Sequence, residues 1–261
     1  MATYRLTLEY DGSAFEGWQV QPAGRPTIQG ALEAALAQVT GERVRCVGAG
    51  RTDAGVHAAG QVAHVALEAA RDPDGLRTAL NGVLPEQVAV LACAPVPDGF
   101  HARFGATGKL YRYAIWNGET PSPLRAARSH WVRRPLDLAA MQAAATLLVG
   151  THDFAAFQAT GSEVATSVRT LARAEVLGVS GGDVAIELEG RGFLRHMVRI
   201  VAGTLIEVGV GQRAPGSLTD ALAGRQRALA GRTAPARGLT LVRVDFDSVG
   251  SADASSPGEA P

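Results

Sequence analysis

Tyr4-Arg5-Leu6-Thr7-Leu8-Glu9-Tyr10-Asp11-Gly12 sets the reading of the fold. Tyr4, Leu6, Leu8 and Tyr10 alternate with mostly polar residues and Asp11-Gly12 follows, the pattern of a half-buried strand ending in a turn. Outward from it, Ile28, Leu32, Leu36 and Val39 recur at helical spacing after Pro26-Thr27, and Gly41 follows the run as a helix stop. Strands are predicted over 43–47 and 61–67, a short helix over 74–82 and a strand over 87–94. The second half nearly repeats that order: a strand over 109–116, a helix over 138–149, strands over 169–177 and 183–189, helices over 193–208 and 217–222, and a last strand over 239–246. Two successive runs of strand, helix, strand, strand, helix, strand predict an α+β fold. Its two ferredoxin-like (split βαβ) halves are expected to join their antiparallel sheets and leave a cleft between them. The halves are expected to span 1–104 and 105–247, and the small, polar stretch 248–261 is expected to be a disordered tail.

The chain has 261 residues, enough for one large domain or two modest ones with real cores. No apolar run reaches the roughly 18 residues of a membrane span, and residues 1–10 alternate instead of forming a signal-peptide core, so a cytoplasmic protein without membrane association is expected. Cys46 and Cys93 lie in strand-like stretches and read as buried, reduced thiols. Formal net charge is zero, a mean that argues against a nucleic-acid partner. The distribution argues the other way. Residues 101–134 hold seven basic side chains (Arg103, Lys109, Arg112, Arg125, Arg128, Arg133, Arg134) against the single acid Glu119. Lys109 is the only lysine in the chain; the arginines suit bidentate phosphate contacts and equally fit a compositional bias.

The chemistry concentrates in Gly48-Ala49-Gly50-Arg51-Thr52-Asp53-Ala54-Gly55-Val56-His57-Ala58, between two strand-like runs. A loop that sets an acid between glycines lets backbone approach a ligand while one carboxylate points into a cleft. A dinucleotide fingerprint using Gly48 and Gly50, with Glu68 as the later acid, fails because Asp53 occupies its third glycine position and no amphipathic helix follows. A plain turn in which Asp53 bonds its own backbone is the bland alternative. The six histidines show no metal-ligand spacing, Cys-x-x-Cys is absent, and no second carboxylate stands in a comparable loop, which argues against zinc and against the paired acids of ordinary glycosidases.

The run Gly50-Arg51-Thr52-Asp53-Ala54-Gly55-Val56-His57-Ala58 resembles the catalytic motif of the tRNA pseudouridine synthase A family. Similar matches are Tyr10-Asp-Gly-Ser-Ala-Phe-Glu-Gly-Trp18-Gln19, Ala102-Arg-Phe104 with Lys109-Leu-Tyr111-Arg-Tyr113, Phe193-Leu-Arg-His-Met-Val-Arg199 and Gly238-Leu-Thr-Leu-Val242, in order over roughly 3–246. The resemblance implies a cofactor-free isomerase that turns uridine into pseudouridine in the tRNA anticodon stem-loop, at positions 38, 39 and 40, and that acts as a homodimer. It implies Asp53 as catalytic aspartate, Tyr111 as base-stacking tyrosine, Arg199 as the aspartate's basic partner and Arg51 as a substrate-positioning residue. Tyr113 shares the strand face of Tyr111, so alternation alone leaves either ring eligible. Arg195 and Arg199 are spaced i, i+4 beside the mostly apolar stripe Ile200, Thr204, Leu205 and Val208, so both are expected along one edge of a buried helix, with His196 a packed or hydrogen-bonded residue.

Pseudouridine formation breaks the bond from uracil N1 to ribose C1′, turns the base and joins C5 to C1′. One carboxylate can attack C1′, attack C6 or take the C2′ proton, and all three roles fit Asp53. The target base must leave its stack to be reached, which gives an aromatic surface and cationic walls evident uses. A module that binds and remodels tRNA without chemistry is the alternative class, and binding without isomerisation would mark it.

Overall fold

The chain is described by a computed structural model covering residues 1–161 and 164–247. The expected tail at 248–261 lies outside the described residues.

Strand β1, Ala2–Tyr10, forms where the alternation predicts it, with Tyr4, Leu6, Leu8 and Tyr10 all sealed in the core. Helix α1, Ile28–Thr40, starts at Thr27, whose side chain accepts the Gly30 N–H, and stops at Gly41, whose φ of 80° only glycine adopts freely. Strands β2, Val47–Gly48, and β3, His57–Leu67, flank the acid-bearing loop. Helix α2, Pro73–Val83, is capped by Asp72, and β4, Val88–Val96, follows. The second half runs β5, Ala106–Trp116; β6, His130–Trp131; α3, Leu138–Thr146; β7, Gly150–Asp153; β8, Val168–Gly178; β9, Asp183–Gly190; α4, Met197–Gly209; α5, Ser217–Gly224; and β10, Leu239–Phe246.

These strands make one α+β sheet in the order β4-β1-β3-β10-β5-β9-β8-β7, with β2 on β3 and β6 on β5. The last strand carries the organisation of the molecule. β10 runs antiparallel to β5 and parallel to the start of β3, and Leu241 lies opposite both Ala58 and Tyr111. Paired residues on neighbouring strands share a face. That register therefore sets the loop leading into β3 and the middle of β5 on one side of the sheet, where α4 packs with Met197, Ile200, Val201 and Leu205 fully buried.

Three expectations are corrected. The strand expected over 43–47 shrinks to Val47–Gly48 because side chains of α1 satisfy the backbone just before it: Glu33 accepts the Cys46 N–H at 2.9 Å and Gln29 donates to the Cys46 carbonyl at 3.1 Å. Groups already bonded this way need no sheet partner. The helix expected over 138–149 ends at Thr146, after which Leu147, Leu148 and Val149 make tighter turns to the carbonyls three residues back. The helix expected over 193–208 starts only at Met197, because His196 sits at φ 61° and breaks the helical path. Arg195 thus precedes α4 and does not share a helix edge with Arg199. Cys46 and Cys93 are free thiols, and burial pushes both up in pKa, that of Cys93 to about 11.

Candidate active site

The loop between β2 and β3 is braced from three sides. The Trp18 N–H donates to the Thr52 carbonyl at 3.0 Å, and the Tyr10 and Thr52 hydroxyls bond at 2.8 Å. Gln61, fully buried on β3, donates to the Gly50 carbonyl at 2.8 Å. The Gly55 N–H reaches the Phe15 carbonyl at 3.2 Å, and the Val56 N–H closes a turn on the Asp53 carbonyl at 3.1 Å. Much of this support comes from 10–18, the last residue of β1 and the segment after it. Its glycines permit the approach: a Cβ on Gly17, itself at φ 93°, would lie 2.6 Å from the Thr52 carbonyl oxygen, and one on Gly12 would overlap the Val56 carbonyl oxygen. We predict that Gly12→Ala lowers unfolding free energy by about 1–3 kcal/mol, the scale of an overpacked interior, measurable as a lower urea midpoint. An unchanged midpoint would show that the loop yields without cost.

So braced, Asp53 keeps its side chain partly exposed, and Oδ2 accepts from Arg199 Nη1 at 3.1 Å. Arg199 is itself held: Nε donates to the Ala234 carbonyl at 2.9 Å, and the Ala234 N–H returns to the Arg199 carbonyl at 3.0 Å. His196 Nε2 lies 3.5 Å from the same carboxylate oxygen. Its left-handed backbone costs of order 1 kcal/mol for a non-glycine residue. Burial pushes the His196 pKa below the usual histidine range; Asp53 pulls it up, and Arg199, Arg195 and Arg227 push it down again. The imidazole is therefore neutral at pH 7, and Arg199 is the cation that Asp53 meets.

Tyr111 and Lys109, two apart on β5, form the floor. A Cβ on Gly50 would lie 3.8 Å from both the Tyr111 hydroxyl and Lys109 Nζ, so both groups face the acid-bearing loop. The Tyr111 ring is nearly buried at 7% exposure and meets Phe193 edge-on at 5.0 Å between centroids. Burial and the Asp53 charge both raise its pKa, keeping the phenol protonated, and among the described residues its hydroxyl has no partner. The Tyr113 ring is sealed and its hydroxyl donates to the Pro235 carbonyl at 2.9 Å, so of the two tyrosines it is Tyr111 that opens toward Asp53. Lys109 is 9% exposed, and burial, then Arg103, lower its pKa. Among the described residues no three His, Cys, Asp or Glu side chains gather in a metal-binding group.

The family model described as tRNA pseudouridine synthase matches residues 7–105 and 144–247, which contain Asp53, His196 and Arg199. The chain belongs to that family. The tRNA pseudouridine synthase A of Syntrophotalea carbinolica is 47% identical over 246 residues, spanning 94% of this chain and 97% of that protein. Those of Ruminiclostridium cellulolyticum, 44% identical over 94% of this chain and 100% of that protein, and of Myxococcus xanthus, 46% identical over 94% and 92%, are similar throughout. Among solved structures, a chain of a Cbf5-Nop10-Gar1 complex aligns over 91% of this chain and 57% of that one at 14% identity and a TM-score of 0.33, too slight a likeness to build on.

Of the residues that the family resemblance pointed to, Asp53, Arg199 and Tyr111 come together. Arg51 does not touch Asp53; it is exposed at the rim, without a side-chain partner among the described residues. The family reading gave no site role to His196, expected only to be packed or hydrogen-bonded, or to Lys109. The two-residue spacing of Lys109 from Tyr111 could have placed the lysine on the same face, whereas nothing in the pattern signalled the left-handed turn at His196. The basic stretch 101–134 is also less available than its charge count: Arg112 is paired with Glu187, Arg125 with Asp183 and Arg128 with Asp11, while Arg134 donates to the Val210 carbonyl. Arg103, Lys109 and Arg133 have no acidic partner among the described residues.

Proposed function

We propose that the chain converts uridine to pseudouridine in tRNA, with Asp53 as the essential carboxylate and without recourse to a metal or organic cofactor. The observation that carries this reading is the Asp53 carboxylate held at 3.1 Å by an arginine fixed to Ala234, facing Tyr111, in a member of this family. The isomerisation removes the C5 proton, breaks N1–C1′, joins C5 to C1′ and returns a proton to N1, so nothing is oxidised and no water is consumed. Asp53 supplies the one anionic group the step needs, whether it attacks C1′, attacks C6 or takes the C2′ proton. Arg199 fixes the direction of its free oxygen, and the protonated Tyr111 hydroxyl is a donor facing the acid-bearing loop. The cleaved sugar has to be kept from water, which would hydrolyse it.

The finer reading has four parts. The substrate positions are 38, 39 and 40 of the anticodon stem-loop, Arg51 positions the RNA at the rim, and the working form is a cytoplasmic homodimer. The two halves, 1–104 and 105–247, are ferredoxin-like with a cleft between them. Matching strand orders support the last part, β4-β1-β3-β2 in the first half and β10-β5-β9-β8 in the second. A large L-shaped tRNA favours two subunits offering a longer surface than one. No helix among the described residues is long and apolar enough to cross a membrane. Incubating unmodified tRNA with the purified chain and mapping pseudouridine at each site tests reaction and position together: new pseudouridine at the anticodon stem-loop is expected, and binding without product would overturn the reading.

Phosphate contacts should make affinity salt-dependent. With Arg51, Arg103 and Arg133 unpaired by acids, log Kd is expected to rise against log salt with a slope of roughly 0.7 to 0.9 per phosphate neutralised. Filter binding over a salt series checks this, and a flat response would remove the electrostatic account.

A further inference from the structure

An aromatic group outside the Asp53–Arg199 pair has no part in the chemistry above. Between β4 and β5 the chain makes a tight turn, in which the His101 Nδ1 accepts the N–H groups of both Arg103 and Phe104 at 3.2 Å, and the His101 carbonyl accepts the Gly105 N–H at 2.8 Å. The imidazole lies on the Phe104 ring, 4.3 Å between centroids and 28° from parallel, and its other neighbour is His64 at 4.8 Å. Arg103 carries its guanidinium carbon 5.6 Å from the centre of the same ring. Phe104 is nevertheless 70% exposed. A large apolar ring gains most by burial; this one is fixed in place by three hydrogen bonds and a stack, yet turned outward. Ala102, one residue before Arg103, packs with Ala49 and Val62 beneath the acid-bearing loop, so the turn stands beside the active site. Arg103 and Lys109 bring two cations there with no acidic partner among the described residues.

We propose that Phe104, backed by His101 and flanked by Arg103, is a stacking platform for an unpaired nucleobase of the RNA substrate near the target uridine, with Arg103 facing the adjoining phosphate and the nearly buried Lys109 adding positive charge behind it. The proposal rests on the RNA-modifying reading and adds a binding site to it. Unpaired bases in RNA loops are bound by stacking on aromatic rings and guanidinium planes, and a base makes that contact whatever its identity. The cations select an RNA strand over a second protein surface, because two copies meeting here would bring like charges together.

The test uses the full chain carrying Asp53→Asn, so that binding is read without turnover, and a set of anticodon stem-loop RNAs each with one loop nucleotide made abasic. One abasic RNA is expected to bind about tenfold more weakly than the intact RNA, within the range of a single base stack. Adding Phe104→Leu should weaken the intact RNA by a similar factor and abolish the further loss at that abasic site, whereas Phe104→Trp should restore both. Phe104 lies at the surface, so both variants should melt with the parent. Equal abasic losses with and without Phe104→Leu would overturn the platform, as would sedimentation showing that Phe104→Leu splits a dimer, which would place the ring in a subunit contact. Wild-type chain that binds intact tRNA and forms no pseudouridine would instead overturn the catalytic reading, leaving the abasic pattern to stand or fall by itself.

Discussion

Asp53→Asn is expected to bind tRNA with near-normal affinity and to form no pseudouridine. The amide nearly matches the carboxylate in shape, so the loop braces at Thr52, Gly50 and Gly55 survive the change. What disappears is the anion, and with it nucleophilicity at carbon and basicity toward a ribose proton, whichever of these the reaction uses. The amide can still accept from Arg199, so circular dichroism and melting should follow the wild type. A binding curve shifted by more than about tenfold would mean that the carboxylate also organises the RNA, contrary to this assignment.

Arg199→Met is expected to lower turnover by on the order of a hundredfold, the scale of a misplaced catalytic group. The guanidinium does two jobs: Nη1 meets Asp53 Oδ2 at 3.1 Å while Nε ties the start of α4 to the Ala234 carbonyl at 2.9 Å. Methionine fills the space and supplies neither, leaving the Asp53 carboxylate without its cation in a partly desolvated loop, a loss that exceeds what an exposed pair would show. Arg199→Lys separates the jobs, since it restores charge without the two-pronged geometry, and should recover only part of the rate. His196, 3.5 Å from the same oxygen, loses the downward push of Arg199 on its pKa in Arg199→Met, so the rate should recover in part as pH falls and the imidazole protonates. Single-turnover rates with saturating protein read these effects apart from RNA affinity, and a wild-type rate in well-folded Arg199→Met would remove the ion pair from the mechanism.

What the sequence made legible follows the kind of signal each feature leaves. Alternation from Tyr4 marked β1, which starts two residues earlier at Ala2, and helical spacing with Thr27 and Gly41 marked α1 to within a residue, because local pattern and cap chemistry agree there. The short β2 escaped because bonds from Glu33 and Gln29, remote in the chain, replaced a sheet ladder. The late start of α4 escaped because one left-handed residue, His196, leaves the periodicity of the following positions intact. The acid-bearing loop could be recognised as a motif, but its supports could not: nothing in Tyr10 or Gln61 alone says that they bond Thr52 and Gly50. The insertion of β10 between β3 and β5, which aligns Ala58, Leu241 and Tyr111, is likewise a long-range pairing with no local signature. Charge counting misled in the opposite direction, since three of the seven cations in 101–134 are spent on Glu187, Asp183 and Asp11.

The central claim is that Asp53 performs the isomerisation, and the C5 hydrogen reports it directly, because joining C5 to C1′ expels that hydrogen. Unmodified tRNA carrying tritium at uridine C5 should be incubated with excess wild-type chain or excess Asp53→Asn, and tritium released to water measured against time. The account predicts stoichiometric release at the modified positions with the wild type and none above background with Asp53→Asn, whose binding to the same tRNA is retained. Release at the wild-type rate by well-folded Asp53→Asn would contradict it.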